Sequence, residues 1–318
     1  VVIAVIAGGA MLQGRMSIGA AQAFFQYINQ TAEPLTQASF MINSIQSALA
    51  SAERTFEILD EKEEIPDAEN PVQLNDAKGD IAFEHVSFGY TPDRLLMRDI
   101  SFTAKRGQKI AIVGSTGAGK TTLINLLMRF YEVNGGTITL DGVSTSDMTR
   151  KALRQNFGMV LQDTWLFGGT IAENIAYGKP DATREEIVAA AKAAKVDFFI
   201  RTMPQQYDTI IDNEAGNLSI GQRQLITIAR VFLCDPAVII LDEATSSVDT
   251  RTEAEIGKAM KKLMKGRTSF VIAHRLSTIR DADSILFMQN GNIIEQGNHK
   301  ELLKKGGAYA ELYYSQFA

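Results

Sequence analysis

Residues 109–123, KIAIVGSTGAGKTTL, form the glycine-rich stretch around which the rest of the chain can be arranged. The apolar run 110–113 has the length and composition of a short buried strand. The next residues, 114–121, match the pattern G-x-x-x-x-G-K-[ST] in full, and an apolar-periodic segment from Thr121 to Tyr131 follows. The stretch therefore predicts a strand, a tight loop and a helix that begins at the end of the loop.

The composition of this loop predicts a site for phosphate. Successive backbone N–H groups at a helix N-terminus point into one concavity and favour an anion. Gly114, Gly117 and Gly119 keep that approach free of side chains. Lys120 can place a positive charge on terminal phosphates, and the Thr121 hydroxyl can ligate Mg²⁺. The strand before the loop and the helix after it favour nucleotide binding over a glycine-rich turn without function.

Composition bounds the class of protein. The chain has 318 residues, which predicts two regions or three, and its 45% hydrophobic content is enough for a large core. The net charge of −5 argues against a general nucleic-acid binder, and a single cysteine excludes an intrachain disulfide. The sequence starts without Met inside the apolar run 1–12, so we expect it to be the C-terminal part of a longer protein.

The segment from Ile18 to Leu59 predicts one long helix, because Pro34 is its only strong helix breaker. A continuous helix of about 40 residues is ~60 Å long. Glutamines follow helical spacing on one side and large apolar residues on another. Such a helix can line a pathway in a membrane, or it can be a soluble amphipathic helix that packs on a partner. These residues alone leave both interpretations open.

Two further segments admit a functional and a structural interpretation. Tyr90 follows the predicted strand 81–88 and can stack on adenine, or it can be an ordinary aromatic residue at a strand end. The loop 163–170 carries Trp165-Leu166-Phe167, which is costly to expose; it predicts a partner surface or simple core packing. Gln162, directly after the strand 158–161, can ligate Mg²⁺ or water, but this pattern alone is not specific.

Acidic and imidazole side chains follow two more predicted strands. The strand 237–241 ends in Asp242, which suits Mg²⁺ through water, and Glu243, which can polarise a water toward a γ-phosphate. With a phosphate loop in the same chain, we favour this role over a solvated acidic pair. His274 follows the strand 269–273, and ligands of open α/β sheets bind at such strand ends. His274 can therefore contact the γ-phosphate.

Taken in order, these motifs resemble the ATP-binding domain of an ABC transporter. The resemblance covers residues 80–318 and rests on Tyr90, residues 114–121, Gln162, residues 218–222, Asp242-Glu243, residues 246–249 and His274. Residues 47–54, SALASAER, resemble the end of the last membrane helix of an exporter half-transporter. The resemblance favours the membrane interpretation of the helix 18–59.

The resemblance implies an α/β P-loop NTPase fold. Its parts are a RecA-like core, a helical subdomain and an antiparallel β-subdomain, preceded by a long transmembrane helix. We expect residues 1–60 to be the C-terminal part of a transmembrane domain, 61–79 a linker and 80–318 the nucleotide-binding domain.

The resemblance also implies the cofactors and the site residues. The cofactors are ATP and Mg²⁺. The catalytic residues are Glu243, His274 and Gln162, and the metal ligands are Thr121, Gln162 and Asp242. The nucleotide contacts are Tyr90, Gly114, Ser115, Thr116, Gly117, Ala118, Gly119, Lys120, Thr121, Thr122, Asp242, Ser219, Gly221, Gln222 and Asp249.

The implied function is ATP-driven export of a drug, lipid or peptide by a multi-pass protein of the cell membrane with a cytoplasmic ATPase domain. Two such domains sandwich two ATP molecules; Ser219 and Gly221 of one meet the γ-phosphate held by the other, and Asp249 bridges the halves. The loop 163–170 receives coupling helices of the membrane part. The alternative is a soluble ABC-type ATPase acting on nucleic acid or ribosomes, which the fused helix and the acidic balance disfavour.

One residue departs from the family pattern. The usual signature is Leu-Ser-Gly-Gly-Gln, whereas Ile220 occupies the third position here. A β-branched residue at a helix start narrows the approach of a phosphate to the backbone. We therefore expect a weaker signature and a heterodimer with a second, related half-transporter rather than a homodimer.

Overall fold

The chain divides into two units, residues 1–66 and 67–318, in a computed structural model. The structure describes residues 2–74, 76–91, 93–161, 164–212, 216–242, 249–273 and 276–317.

The first unit consists of the helices α1 (Val2–Leu12) and α2 (Ile18–Leu59). Ser17 caps α2, because its Oγ accepts a hydrogen bond from the N–H of Ala20 at 3.2 Å. The helix continues through Pro34. The predicted long helix is thus confirmed. Among the described residues, no helix has both the length and the apolar character required to cross a membrane.

The second unit contains all the strands of the described chain. They are β1 (Ile81–Phe88), β2 (Met97–Ala104), β3 (Lys109–Val113), β4 (Gly135–Leu140), β5 (Val143–Ser144), β6 (Phe157–Val160), β7 (Gly169–Thr170), β8 (Ile210–Ile211), β9 (Val238–Asp242), β10 (Thr268–Ile272), β11 (Ser284–Gln289) and β12 (Asn292–Gly297). An antiparallel sheet has the order β2-β1-β4-β5, and the central sheet has the order β12-β11-β3-β10-β9-β6. The central sheet is parallel except for β12, and β7 pairs with β8.

Helices cover both faces of the central sheet. They are α3 (Lys120–Leu127), α4 (Arg150–Arg154), α5 (Ile171–Ala176), α6 (Arg184–Ala193), α7 (Asp197–Thr202), α8 (Ile220–Cys234), α9 (Thr250–Met264), α10 (Leu276–Arg280), α11 (His299–Lys305) and α12 (Ala308–Phe317), with 3₁₀ turns at Thr145–Asp147 and Gln206–Asp208. The predicted α/β fold with a helical and an antiparallel β part is confirmed.

Alternation along the central strands gives the two faces of the sheet separate cores. In β9, Val238 and Ile240 join a core built with α3 and the antiparallel sheet. Ile239 and Leu241 point the other way and join the core of α5 to α9. Because successive side chains of a strand point to opposite faces, a wholly apolar strand serves both cores.

The helix α3 is shorter than the sequence predicted. It ends at Leu127 rather than Tyr131, and Arg129 has a positive φ of 52°. This conformation accompanies the burial of the Arg129 side chain, whose Nη1 donates to the carbonyls of Thr145 and Met148 at 3.2 and 2.8 Å. The buried hydrogen bonds of the Arg129 side chain therefore override the helical pattern of the local sequence.

An ion-pair network around two largely buried arginines ties the start of the second unit to the segments before β4 and after β5. Glu132 Oε1 accepts from Arg129 Nε and from Arg150 Nη2, both at 2.8 Å. Asp67 Oδ1 lies 3.0 Å from Arg150 Nη1 and 3.5 Å from Arg129 Nη1. Further along, the Asp141 carboxylate accepts from three consecutive N–H groups, those of residues 78–80. The segment that enters the second unit is therefore bonded along its length.

We predict that Glu132→Ala destabilises the second unit by about 3 kcal/mol, because it removes the shared carboxylate from two largely buried arginines. The measurement is the free energy of unfolding in urea. The control is Glu255→Ala, which removes an exposed helical pair with Lys258 and is expected to cost roughly 0.5 kcal/mol. Equal losses in the two variants would contradict the prediction.

Candidate nucleotide-binding site

The phosphate loop connects β3 to α3. Gly114, Gly117 and Gly119 have φ values of 157°, 80° and 102°, in the region that favours glycine. Gly119 is the N-cap of α3 and bears no side chain to cover the first N–H groups of that helix. The loop thus presents backbone donors at a helix N-terminus, as an anion site requires.

The turn between β11 and β12 lies against this loop. Gly291 N donates to Ala118 O at 3.0 Å. A Cβ on Gly114 would stand 2.3 Å from Met288 O, and one on Gly119 would stand 3.2 Å from the Gly291 Cα. Asn290-Gly291 has the composition of a hairpin turn, but this pattern does not indicate that the turn supports the phosphate loop. Gly114 and Gly119 therefore allow the close approach of the loop to the β11–β12 hairpin.

Lys120 lies over the loop that precedes it. Its Nζ donates to Gly114 O at 2.8 Å and to Ser115 O at 2.9 Å. Partial burial lowers the pKa of Lys120, and the charge of Asp242 opposes this shift. The ammonium of the loop and the carboxylate at the end of β9 therefore share one electrostatic environment.

The strand order brings the predicted site to one edge of the sheet. Ile272 of β10 pairs with Ile112 of β3 on one side and with Asp242 of β9 on the other. Val160 of β6 pairs with Leu241. The carboxyl ends of these parallel strands therefore lie side by side next to the phosphate loop. The predicted catalytic residues Gln162, Glu243 and His274, and the predicted turn residues 246–248, lie outside the described residues.

The described donors fit Mg²⁺. Thr121 is exposed at the start of α3, and Asp242 is partly exposed at the end of β9. Hydroxyl and carboxylate oxygens are the ligands that this hard cation prefers.

Tyr90 belongs to an aromatic group beside α3. Its hydroxyl lies 2.8 Å from Thr122 Oγ1, and its ring packs edge-on against Phe88 and Tyr131 at 5.0 and 5.2 Å between centroids. The side chain is nevertheless 56% exposed, so the ring keeps a surface for a ligand. The sequence did not single out Tyr131; its only signal was an aromatic pair, residues 130–131, at the end of a helical pattern.

The signature residues form the N-terminus of α8. Ser219 Oγ accepts from Gln222 N at 3.2 Å, and Gln222 Oε1 accepts from Ser219 N at 2.8 Å, which makes a reciprocal capping box. Gly221 is buried, whereas Ile220 is 43% exposed. In the sequence, Ser219 directly precedes an apolar-periodic helical segment, which predicts an N-cap, and this cap is confirmed. Ile220 therefore presents its branched side chain at the exposed start of the helix.

The signature and the phosphate loop belong to different cores. The side chains of α3 pack in the core on one face of the central sheet, and those of α8 pack on the other.

Asp249 caps α9, and hydrogen bonds from the N–H groups of Thr252 and Arg251 lower its pKa.

The loop with the three large apolar residues divides between surface and core. Leu166 is buried, Phe167 is half-buried and Trp165 is 61% exposed. Core packing is therefore confirmed for Leu166, and a partner surface stays a prediction for Trp165. Asn174 and Arg230, which hold this loop, were missed because an amide and an arginine within ordinary helical patterns carry no motif.

We predict that Gly291→Ala weakens ATP binding and lowers stability, because its Cβ would stand 2.0 Å from Leu96 O and would displace the N–H that donates to Ala118 O of the phosphate loop. The control is Gly142→Ala. Gly142 has a φ of 81°, against 80° for Gly291, in a similar two-residue turn, but a Cβ there meets nothing within 4 Å. Each substitution incurs roughly 1–2 kcal/mol of left-handed strain. Urea unfolding and ATP titration should show the additional loss only in Gly291→Ala; equal effects would contradict the role of the turn.

Comparison with known proteins agrees with this geometry. Residues 97–246 match the family model described as ABC transporter. The fatty acid ABC transporter ATP-binding/permease proteins of Mycobacterium tuberculosis (strain CDC 1551 / Oshkosh) and Mycobacterium bovis (strain ATCC BAA-935 / AF2122/97) are each 55% identical over 312 residues, covering 98% of this chain and 49% of the relative. A solved structure of a bacterial Atm1-family ABC exporter with ATP bound gives a TM-score of 0.76 at 38% identity, covering 99% of this chain and 56% of that one.

The chain spans about half the length of the curated relatives it matches. Its similarity extends over both of its units and includes the phosphate loop and the strand that ends at Asp242. The chain therefore belongs to the ABC transporter family and carries the ATP-binding domain of that family.

Proposed function

We propose that the second unit binds ATP with Mg²⁺ at the phosphate loop and hydrolyses it to ADP and phosphate. The observation that carries this proposal is the glycine-rich loop at the N-terminus of α3, which lies at the sheet edge where β9 ends in Asp242. The backbone N–H groups and Lys120 hold the phosphates, and the exposed ring of Tyr90 stacks on adenine. When bound, Mg²⁺ neutralises charge that develops on the phosphates; Thr121, Gln162 and Asp242 hold it.

In this proposal Glu243 acts as the base toward the attacking water. It follows Asp242 at the end of β9, and general base catalysis contributes ~10²- to 10⁴-fold to a rate. His274 follows β10, the strand between β3 and β9, and contacts the γ-phosphate. Of the other predicted contacts, Ser115, Thr116 and Thr122 contribute backbone donors, whereas the N–H of Ala118 donates to Ser115 O at 3.1 Å and supports the loop.

We propose that hydrolysis drives export across the cell membrane, with the ATPase unit on the cytoplasmic side. The support is the likeness to ATP-binding/permease relatives and to a solved exporter over nearly the whole chain. The membrane assignment of α2 rests on this likeness rather than on hydropathy; its glutamines are then expected to face other helices or a water-filled pathway. A fatty acid transporter among the relatives favours an amphipathic lipid-like cargo over a peptide. A soluble ABC-type ATPase is the alternative.

We propose that two ATPase units bind face to face, so that the signature of one completes the ATP site of the other. The support is that α3 and α8 pack on opposite faces of the central sheet, so one chain does not bring Ser219 to its own phosphate loop. Ser219, Gly221 and Gln222 then meet the partner's nucleotide, and Asp249 lies at the contact between the units. The exposed Ile220 favours a partner subunit of different sequence.

We predict that Glu243→Gln in the complete transporter lowers ATP hydrolysis by ~10²-fold or more and leaves ATP binding intact, because it removes the base but not the phosphate contacts. The measurement is phosphate release together with an ATP titration. Lys120→Ala should instead lose binding, and Glu311→Gln, an exposed change on α12, should change neither quantity. Wild-type hydrolysis in Glu243→Gln would overturn the role of Glu243.

We predict that the complete subunit, extracted from its own membrane, is isolated with a second, related chain. Native mass spectrometry of the tagged complex measures this. A species that contains two different half-transporters is the expected result. A single species at twice the subunit mass would mean that both sites use Ile220, and the heterodimer proposal would be wrong.

A further inference from the structure

Arg230 connects α8 to the loop that precedes α5. Its Nε donates to Asn174 O at 2.8 Å, and its Nη2 donates to Asn174 Oδ1 at 3.3 Å. Its Nη1 lies 3.4 Å from Trp165 O. The guanidinium also lies over the ring of Tyr177, 5.0 Å from its centroid. The Arg230 side chain thus contacts three residues outside α8. They are Trp165 in the loop, Asn174 in α5 and Tyr177 directly after α5.

Asn174 closes the loop from inside. It is fully buried, and its Nδ2 donates to Phe167 O at 3.0 Å and to Thr170 O at 3.1 Å. Its Oδ1 accepts from Phe167 N at 3.1 Å. A buried amide with all these bonds fixes the backbone of the loop, and Arg230 holds that amide from the side of α8.

The network keeps a charge partly buried. Burial lowers the pKa of Arg230, but an arginine stays protonated at neutral pH. The cost of burying the guanidinium is offset by the carbonyl acceptors and by the face of Tyr177. Because the planar guanidinium serves several acceptors in fixed directions, a lysine at this position can reproduce only part of the network.

The loop displays an aromatic patch, which consists of Trp165, Phe167 and Tyr177. Their ring centroids lie 5.6 to 6.3 Å apart. Trp165 and Tyr177 are 61% and 58% exposed. Asn174 bonds to the backbone of Phe167, and Arg230 contacts Trp165 and Tyr177. The position of the patch therefore depends on these two side chains.

The other end of α8 carries the signature. Ser219 caps the helix eleven residues before Arg230, which corresponds to about 16 Å along a regular helix. The helix has no proline or internal break. A displacement of its N-terminus therefore moves Arg230 with it.

We propose that Arg230 is a positioning residue that couples the signature end of α8 to the aromatic patch. When the signature meets a nucleotide, the helix shifts, and Arg230 carries the shift to Asn174, Trp165 and Tyr177. The patch then takes a new position on the surface of the second unit. This inference rests on the proposed function in that it requires the signature to meet a nucleotide. The connection from α8 to the aromatic patch rests on the contacts of Arg230.

The test uses the complete transporter in lipid nanodiscs, labelled with 5-fluorotryptophan. Trp165 is the single tryptophan of this chain, and its ¹⁹F resonance is assigned as the one missing from Trp165→Phe. The Glu243→Gln background holds ATP without turnover. We expect ATP to shift the Trp165 resonance when Arg230 is present, to leave it unshifted in Arg230→Met, and to shift it in part in Arg230→Lys.

The control is Arg184→Met. Arg184 also lies over a tyrosine ring, at 4.9 Å from the centroid of Tyr207, and pairs with Asp208, but it is not on α8. Its loss should leave the ATP-induced shift unchanged. Arg230→Met should still bind ATP, because the contacts of Arg230 are to the loop before α5, to Asn174 and to Tyr177 rather than to the phosphate loop.

Each outcome decides the proposal. If Arg230 only stabilises the loop, Arg230→Met would move the Trp165 resonance by the same amount with and without ATP. The ATP-induced shift would then persist in Arg230→Met, and this result would overturn the coupling. An unshifted resonance in the Glu243→Gln protein that binds ATP would overturn it as well and leave the proposed function standing. A protein that binds no ATP would overturn both. Loss of the shift in Arg230→Met alone supports the proposal.

Discussion

The contact between two backbones, the phosphate loop and the β11–β12 turn, is the constraint on which the site depends. Gly291 donates to Ala118, and glycines at 114 and 119 let the loop lie against the turn. The residues of the two segments are more than 160 positions apart in the chain. The pairing of β11 with β3 brings them together, so the order of strands in the central sheet determines the shape of the phosphate loop.

The same strand order places the phosphate loop and the signature on different faces of the central sheet. The phosphate loop and α3 belong to one core, and α8 with its signature belongs to the other. This separation gives a physical reason for the proposed pairing of two ATPase units, since neither unit alone places a signature over its own loop. In the proposed pairing, the exposed Ile220 would lie close to the partner's nucleotide.

The helix α8 joins two regions that a list of motifs treats as independent. Its N-terminus is fixed by the reciprocal bonds of Ser219 and Gln222, and Arg230 near its end is bonded to Asn174. Because the helix is continuous between these points, the signature and the aromatic patch can respond together. The ion pairs of Asp67 with Arg129 and Arg150 connect the chain entering the second unit to the segments before β4 and after β5.

The sequence by itself determined the phosphate loop, the acid at the end of β9, the cap at Ser219, the long helix α2 and the membership of the chain in its family. Each of these depends on a few neighbouring residues whose spacing carries the chemistry. Only the tertiary structure decided that the β11–β12 turn supports the loop, that Arg129 ends α3 early, that Trp165 is exposed while Leu166 is buried, and that Arg230 contacts Asn174. These features depend on strand order and on side chains brought together from distant parts of the chain, which local spacing does not specify.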